Sequence, residues 1–266
     1  MSKLLWEPTE ERIRNSNMFR FMERINEKHG TDFSDYDALY QWSIDNIPDF
    51  WAAMWEFADI RASSSWDQVV DDPAKMPGAQ WFSGAKLNFA ENLLRYRDDR
   101  NALIFKGEGQ DVRRLTYAEL YDAVARLSHS LRAAGVKVGD RVVGFMPNMP
   151  ESIIAMLAAT SIGATWSSCS PDFGIKGVLD RFGQIRPKVL FTADGYFFKG
   201  KSIDALDRVA VRPAGRSPAE LLLHVQRNVR HGVGQVHQER LLPMPLDKLD
   251  RPIGVPPRSS SLRMEP

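Results

Sequence analysis

Residues 139–202 read GDRVVGFMPNMPESIIAMLAATSIGATWSSCSPDFGIKGVLDRFGQIRPKVLFTADGYFFKGKS, and the alternation of short apolar runs with helical patterns along them decides the fold. Arg141 to Met146 (RVVGFM) is β-branched and apolar, and Pro147-Asn148-Met149-Pro150 ends it with two prolines. A helix is expected to start there. Pro150 suits the first helical position, Glu151 suits the positive end of the helix dipole, and Ile153, Ile154, Leu157, Ala158 and Ile162 share one face before Gly163. Ala164 to Cys169 (ATWSSC) reads as a second strand. Gly174 to Ile185 reads as a second helix, with Val178, Phe182 and Ile185 at compatible spacing, and Lys188 to Thr192 (KVLFT) as a third strand. Two β-α-β units in series predict an α/β fold, a partial parallel sheet with right-handed crossovers and helices on its faces. Such sheets take ligands beyond the carboxyl ends of their strands. Those ends are Pro147 to Met149, Ser168 to Gly174 and Ala193 to Ser202.

Upstream of this stretch, Ala102 to Phe105 and Val112 to Leu115 flank Gly107-Glu108-Gly109 and predict a hairpin. Thr116 with Glu119 is a capping-box signature for a helix that turns Leu120, Val124, Leu127 and Leu131 inward and ends at Gly135. His129 falls on its polar face, which gives it no catalytic role. Residues 61–95 read as irregular. Further upstream, Tyr36 to Asp45 and Pro48 to Ala58 predict two helices crowded with Trp42, Phe50, Trp51, Trp55 and Phe57, an aromatic cluster expected to serve packing. Residues 1–30 predict an amphipathic helix broken at Asn15-Ser16 and stopped at Gly30.

Downstream of about residue 210 the composition changes. No Phe, Tyr or Trp follows, half of the 16 prolines do, and residues 211–266 hold nine Lys plus Arg against five Asp plus Glu. A segment of that kind cannot bury enough surface to offset its ordering entropy, so a disordered tail is expected over 211–266, with a helical stripe only over Pro218 to Arg230. A shifted reading frame would produce the same change of character.

The whole chain has 266 residues, 43% of them hydrophobic, and a net charge of +1. That is material for a sizeable core, and it supplies no global field to recruit nucleic acid or an anionic membrane surface. The single Cys169 cannot form an internal disulfide and the longest apolar run, Ile153 to Ala159, is too short to span a bilayer. A cytoplasmic chain is expected.

Gly195 to Ser202 satisfies the phosphate-loop formula G-x-x-x-x-G-K-[ST], which by itself says P-loop NTPase. Against it stand the bulky Tyr196-Phe197-Phe198 interior, where a phosphate cradle needs small residues, and the late position in the sheet. A looser reading holds that Lys199 and Lys201 put positive charge where an anionic ligand would sit. Cys169 has no neighbouring base to lower its pKa and is expected to be a buried thiol; Asp172 is expected to cap the following helix. No metal-ligand spacing is present.

Leu115-Thr-Tyr-Ala-Glu-Leu120, the run from Gly139 to Glu151 and Ser161-Ile-Gly-Ala164 resemble the opening motifs of the adenylate-forming acyl-CoA ligases. Lys86 to Leu94 and Trp166 to Gly174, with the Trp-rich helical preamble, look more narrowly like the acetoacetate-CoA ligases, the acetoacetyl-CoA synthetases. The likeness covers about residues 1–210. It implies a helical N-terminal segment over 1–95, the first part of the AMP-binding ligase domain over 96–210, and a Pro/Arg-rich tail over 211–266 that does not continue the domain. It also implies an acid-thiol ligase using ATP, CoA and Mg2+ on acetoacetate or a similar short-chain acid. No nucleic-acid or membrane partner is implied, and the oligomeric state stays open. In related enzymes the position of Phe198-Lys199-Gly200-Lys201 carries an Arg-Gly-Gly-Arg run that contacts the CoA nucleotide, which makes Lys199, Gly200 and Lys201 the candidate cofactor-binding residues. No catalytic residue is implied: the family's Thr/Ser/Gly-rich loop, its ribose-binding aspartate and its C-terminal lysine have no counterpart in the 266 residues. A fragment without turnover is the expectation, with a non-catalytic CoA-binding or interaction module as its alternative.

Overall fold

The computed structural model describes residues 5–205 and the strands at 221–225 and 244–245. Contacts divide the chain into two units, 1–88 and 89–266.

In the first unit, α1 (Glu10–Arg14) and α2 (Asn17–His29) are separated where the sequence predicts a break, because Ser16 accepts a hydrogen bond from the Phe19 N–H and so starts a new helix. Gly30 ends α2 in the left-handed region. With α3 (Tyr36–Asp45) and α4 (Ile47–Phe57), α2 encloses a small core of Phe21, Met22, Ile25, Leu39 and Ala53. The predicted aromatic cluster forms and reaches several partners: Phe50 meets Trp51 with ring centres 5.3 Å apart, and Trp42 packs with His29 and Phe33. Phe50 and Phe57 also stand edge-on to Phe21, and Trp51 and Trp55 meet Trp81 and Phe82 respectively. Trp81 and Phe82 lie in a stretch read as irregular, which instead carries an antiparallel pair, β1 (Gln68–Val70) with β2 (Trp81–Ser83). Three residues give a strand only one alternation of faces, too little for a periodic signal.

The second unit opens with α5 (Phe89–Leu93), followed by the hairpin of β3 (Asn101–Phe105) and β4 (Arg113–Thr116). The capping box at Thr116 and Glu119 forms as predicted and starts α6 (Tyr117–Ala133). Then come β5 (Arg141–Phe145), α7 (Pro150–Ser161), β6 (Thr165–Cys169), α8 (Ile175–Ile185) and β7 (Val189–Ala193). Both β6 and β7 pair parallel with β5, giving the order β6-β5-β7. Alternate residues of these strands serve two cores. Val142, Val189 and Phe191 pack with α6 and α7, while Val143, Phe145, Leu190 and Cys169 pack with Phe182 of α8. Within this parallel α/β sheet with helices on both faces, β5 and β7 are runs buried on both sides, whereas β6 buries only Cys169 fully.

Beyond β7 the chain departs from two expectations. Gly195 to Ser202 is not a phosphate loop: β8 (Gly195–Phe198) and β9 (Lys201–Asp204) form an antiparallel hairpin, and Ser202 lies in a strand, not in a helix. The P-loop NTPase reading fails because the required strand-to-helix turn is absent. In addition, the helical stripe expected over Pro218 to Arg230 contains a strand, β10 (Leu221–Val225), parallel to β7 from Leu221↔Val189 to Val225↔Ala193. It is joined antiparallel by β11 (Met244–Pro245). The open side of β7 decides between two structures that the apolar run alone permits. The expectation of disorder over 211–266 otherwise falls outside the described residues. Among the described residues no helix is long and apolar enough to cross a membrane.

Gly144 shows how tightly the sheet is covered. A Cβ there would lie 2.7 Å from the Trp166 ring, which crosses Gly144 on its way to Phe191. Gly144→Ala is expected to cost about 1–3 kcal/mol, read as a lowered Tm, and Trp166→Leu in the same chain is expected to recover part of that loss. An unchanged Tm for Gly144→Ala would refute the packing argument.

Candidate functional site

The two ends of the sheet differ in kind. At the amino ends, basic side chains are spent on the backbone: Arg141 donates to the carbonyls of Ile185 and Arg186 at 2.8 and 3.0 Å, and Lys188 to that of Gly135 at 2.7 Å. Lys188 also reaches Asp140 at 3.2 Å. The Asp140 carboxyl is held below its usual range, first by the Lys137 backbone N–H and then by the Lys188 ammonium. This end is closed by structural bonds.

The carboxyl ends carry loops instead. The helix after β5 covers one face and the helix after β6 the other, so the crossovers diverge between Pro147–Met149 and Ser170–Gly174, the place where parallel sheets take their ligands. Ser170 donates to Asp172 Oδ2 at 3.1 Å, and the Tyr196 hydroxyl donates to Asp172 Oδ1 at 3.3 Å. The predicted helix cap at Asp172 is therefore corrected. Gly174 occupies the N-cap without a side-chain bond, and Asp172 ties the β6 loop to the first strand of the β8–β9 hairpin. Cys169 lies just inside, with its thiol pushed up by burial and only partly offset by Arg181; it is a packing residue, as expected. His129 is exposed on α6.

The candidate residues Lys199, Gly200 and Lys201 lie together at the tip of the hairpin. Lys199 and Gly200 both have positive φ, 52° and 72°, which is the type I′ turn favoured between two-residue hairpin strands. Both lysines are exposed; Lys199 Nζ stands 5.2 Å from the centre of the Phe198 ring. The turn points its two backbone N–H groups at one carboxylate, with Lys199 N 3.1 Å from Glu108 Oε1 and Gly200 N 2.8 Å from Glu108 Oε2. Consecutive N–H groups converging in this way form an anion-binding nest. Glu108 belongs to the β3–β4 loop, more than ninety residues away in sequence, and only its turn context was legible there. A second link absent from the sequence reading is Arg113 of β4 to Glu151 at the start of α7, 2.7 Å. What the arrangement can do chemically is hold an anion on two fixed N–H donors, as it holds the Glu108 carboxylate, with two exposed lysines close by in the chain.

Comparisons with known proteins place this geometry in a family. The family model for AMP-binding enzymes matches residues 89–245, and the model for the acetyl-coenzyme A synthetase N-terminus matches residues 36–93. The acetoacetyl-coenzyme A synthetase of Rhizobium meliloti strain 1021 is 48% identical over 205 residues, covering 77% of this chain and 31% of that protein. The malonamoyl-CoA synthetase of Penicillium aethiopicum is 37% identical over 195 residues, 71% of this chain and 27% of that protein. The solved acetoacetyl-CoA synthetase from Streptomyces lividans superposes with a TM-score of 0.79 at 42% identity, covering 85% of this chain and 35% of that one. This chain therefore spans about a third of the length of the relatives it matches. With one model matching the whole parallel sheet and its hairpin, the chain belongs to the AMP-binding enzyme family and is similar to that family's acetoacetyl-CoA synthetases.

Proposed function

We propose that this chain is part of an acetoacetate-CoA ligase and that Lys199, Gly200 and Lys201 contact the nucleotide end of CoA. In the reaction, acetoacetate and ATP give an acyl-adenylate and diphosphate, and the CoA thiol then displaces AMP to give acetoacetyl-CoA. Activation is needed because a carboxylate is a poor electrophile, and fixed positive charge must meet the phosphates that take part. The observation that carries the reading for these residues is the hairpin tip itself, where two exposed lysines accompany two aligned N–H groups that already hold a carboxylate. The acid is short and bears a β-carbonyl. Acetoacetate is favoured by the names of the relatives, and malonamate, named for one of them, has the same placement of a second carbonyl.

Adenylation is assigned to no residue of this chain. Among the described residues no group of three His, Cys, Asp or Glu side chains is placed to hold a metal ion. The family's phosphate loop, ribose-binding aspartate and C-terminal lysine have no match in the sequence. The chain is accordingly expected to bind the CoA nucleotide without turnover.

Two measurements on the purified chain test this. Adenosine 3′,5′-bisphosphate, the nucleotide end of CoA, is expected to bind, and Lys201→Ala to weaken it about tenfold through loss of a charge-assisted phosphate contact. Equal binding by the variant would reject the assignment of Lys201. Acetoacetate-dependent exchange of diphosphate into ATP is expected to be absent, and its detection would show that the chain holds a complete adenylation site.

A further inference from the structure

We infer that Glu108 is an internal stand-in for a ligand phosphate at the Lys199–Gly200 nest, so that a phosphoryl group binds there by displacing the Glu108 carboxylate. The inference rests on the proposal that this hairpin takes a nucleotide and adds a competitor within the chain.

The geometry carries the argument. Both oxygens of Glu108 are engaged, one by each of two successive N–H groups, at 3.1 and 2.8 Å. A phosphate offers the same pair of oxygens to the same pair of donors, with more charge and further oxygens left for lysine. Glu108 is exposed and sits between Gly107 and Gly109, the latter at φ 64°, in a turn closed by the Gln110 N–H bonding to the Gly107 carbonyl at 3.2 Å. The carboxylate can leave into water without unpacking either hairpin. Lys199 supplies one of the two N–H groups and Lys201 follows them in the chain, and both side chains are exposed. With Glu108 in place both N–H groups are satisfied by one carboxylate, at a tip that carries two lysines. An incoming phosphate therefore meets an attractive tip whose fixed donors are already occupied. The arrangement lowers affinity for weak anions and lets a dianionic phosphate ester attracted by both lysines compete successfully.

The Lys199 and Gly200 amide resonances of the whole chain report on the nest directly during titration with adenosine 3′,5′-bisphosphate, with adenosine as the control lacking phosphate. The wild type is expected to show both amides responding to the bisphosphate and not to adenosine. Glu108→Gln, which keeps the shape and removes the charge, is expected to bind the bisphosphate about tenfold more tightly, and Glu108→Ala is expected to do the same without a replacement acceptor. Binding that depends on Lys201 but is unchanged or weakened in both Glu108 variants would overturn the competition and leave the nucleotide assignment standing. No binding to the wild type or to either Glu108 variant would overturn the nucleotide assignment, and the competition with it.

Discussion

Phe191→Ala is expected to destabilise the unit from residue 89 onward by about 3–5 kcal/mol, the usual cost of emptying a fully buried aromatic site. Phe191 is in the middle of β7, which is paired on both sides, with β5 and with β10, and its side chain is completely shielded from solvent. Its ring lies 6.1 Å from that of Trp166 and belongs to the larger of the two sheet cores, where helices α6 and α7 pack. A sheet hydrogen-bonded on both sides cannot close inward over the space a ring leaves, so relaxation is limited and the loss falls at the upper part of the range. Urea unfolding followed by circular dichroism checks this, with a shift in midpoint and an unchanged slope expected. Phe198→Ala, at an exposed position on the hairpin, is the comparison and is expected to stay within about 0.5 kcal/mol of the wild type. A loss below about 1 kcal/mol for Phe191→Ala would mean that the core of β7 is not closed as described.

The same burial explains what could be read from the sequence. β5 and β7 lie between two helical layers, so almost every side chain they carry is apolar, and Arg141 to Met146 and Lys188 to Thr192 show it without any partner being known. The helices between them announce themselves through Pro150 and through the spacing of Val178, Phe182 and Ile185. Local patterns fail where the partner decides. Leu221–Val225 has four apolar residues in five, which fits a helical stripe as well as a strand, and only the open side of β7 selects the strand. At Gly195 to Ser202 a formula written for a strand-to-helix loop is satisfied by a hairpin, because the formula records residue types and not the φ values of Lys199 and Gly200. The Glu108 contact had no local signature at all. It depends on two hairpins being brought together by the elements between them, and a Gly-Glu-Gly turn reads the same with or without a nest in front of it.

What holds the β3–β4 hairpin against the sheet can be tested through Arg113. Arg113→Ala is expected to cost about 2–3 kcal/mol, below the range for removing one partner of a fully buried ion pair because the arginine side chain keeps 31% of its exposure. Glu151 is the more desolvated partner, at 13%, and its Oε2 has no hydrogen bond, so Arg113 is its principal counter-charge. Without the guanidinium, a carboxylate is left in a poorly hydrated position with only the N-terminal dipole of α7 to favour it. Adding Glu151→Gln to Arg113→Ala removes that stranded charge, and the double variant is expected to be more stable than Arg113→Ala alone, as thermal and urea unfolding would show. A loss below about 0.5 kcal/mol for the single variant would class the pair with ordinary surface ion pairs. The consequence also reaches the candidate site. Arg113 joins the strand that follows the Glu108 loop to the helix that follows β5, so its removal loosens the placement of Glu108 beside the Lys199–Gly200 turn. The two turn amides are therefore expected to move in Arg113→Ala toward their positions in Glu108→Ala, and amides that stay at their wild-type positions would show that the nest is held independently of the ion pair.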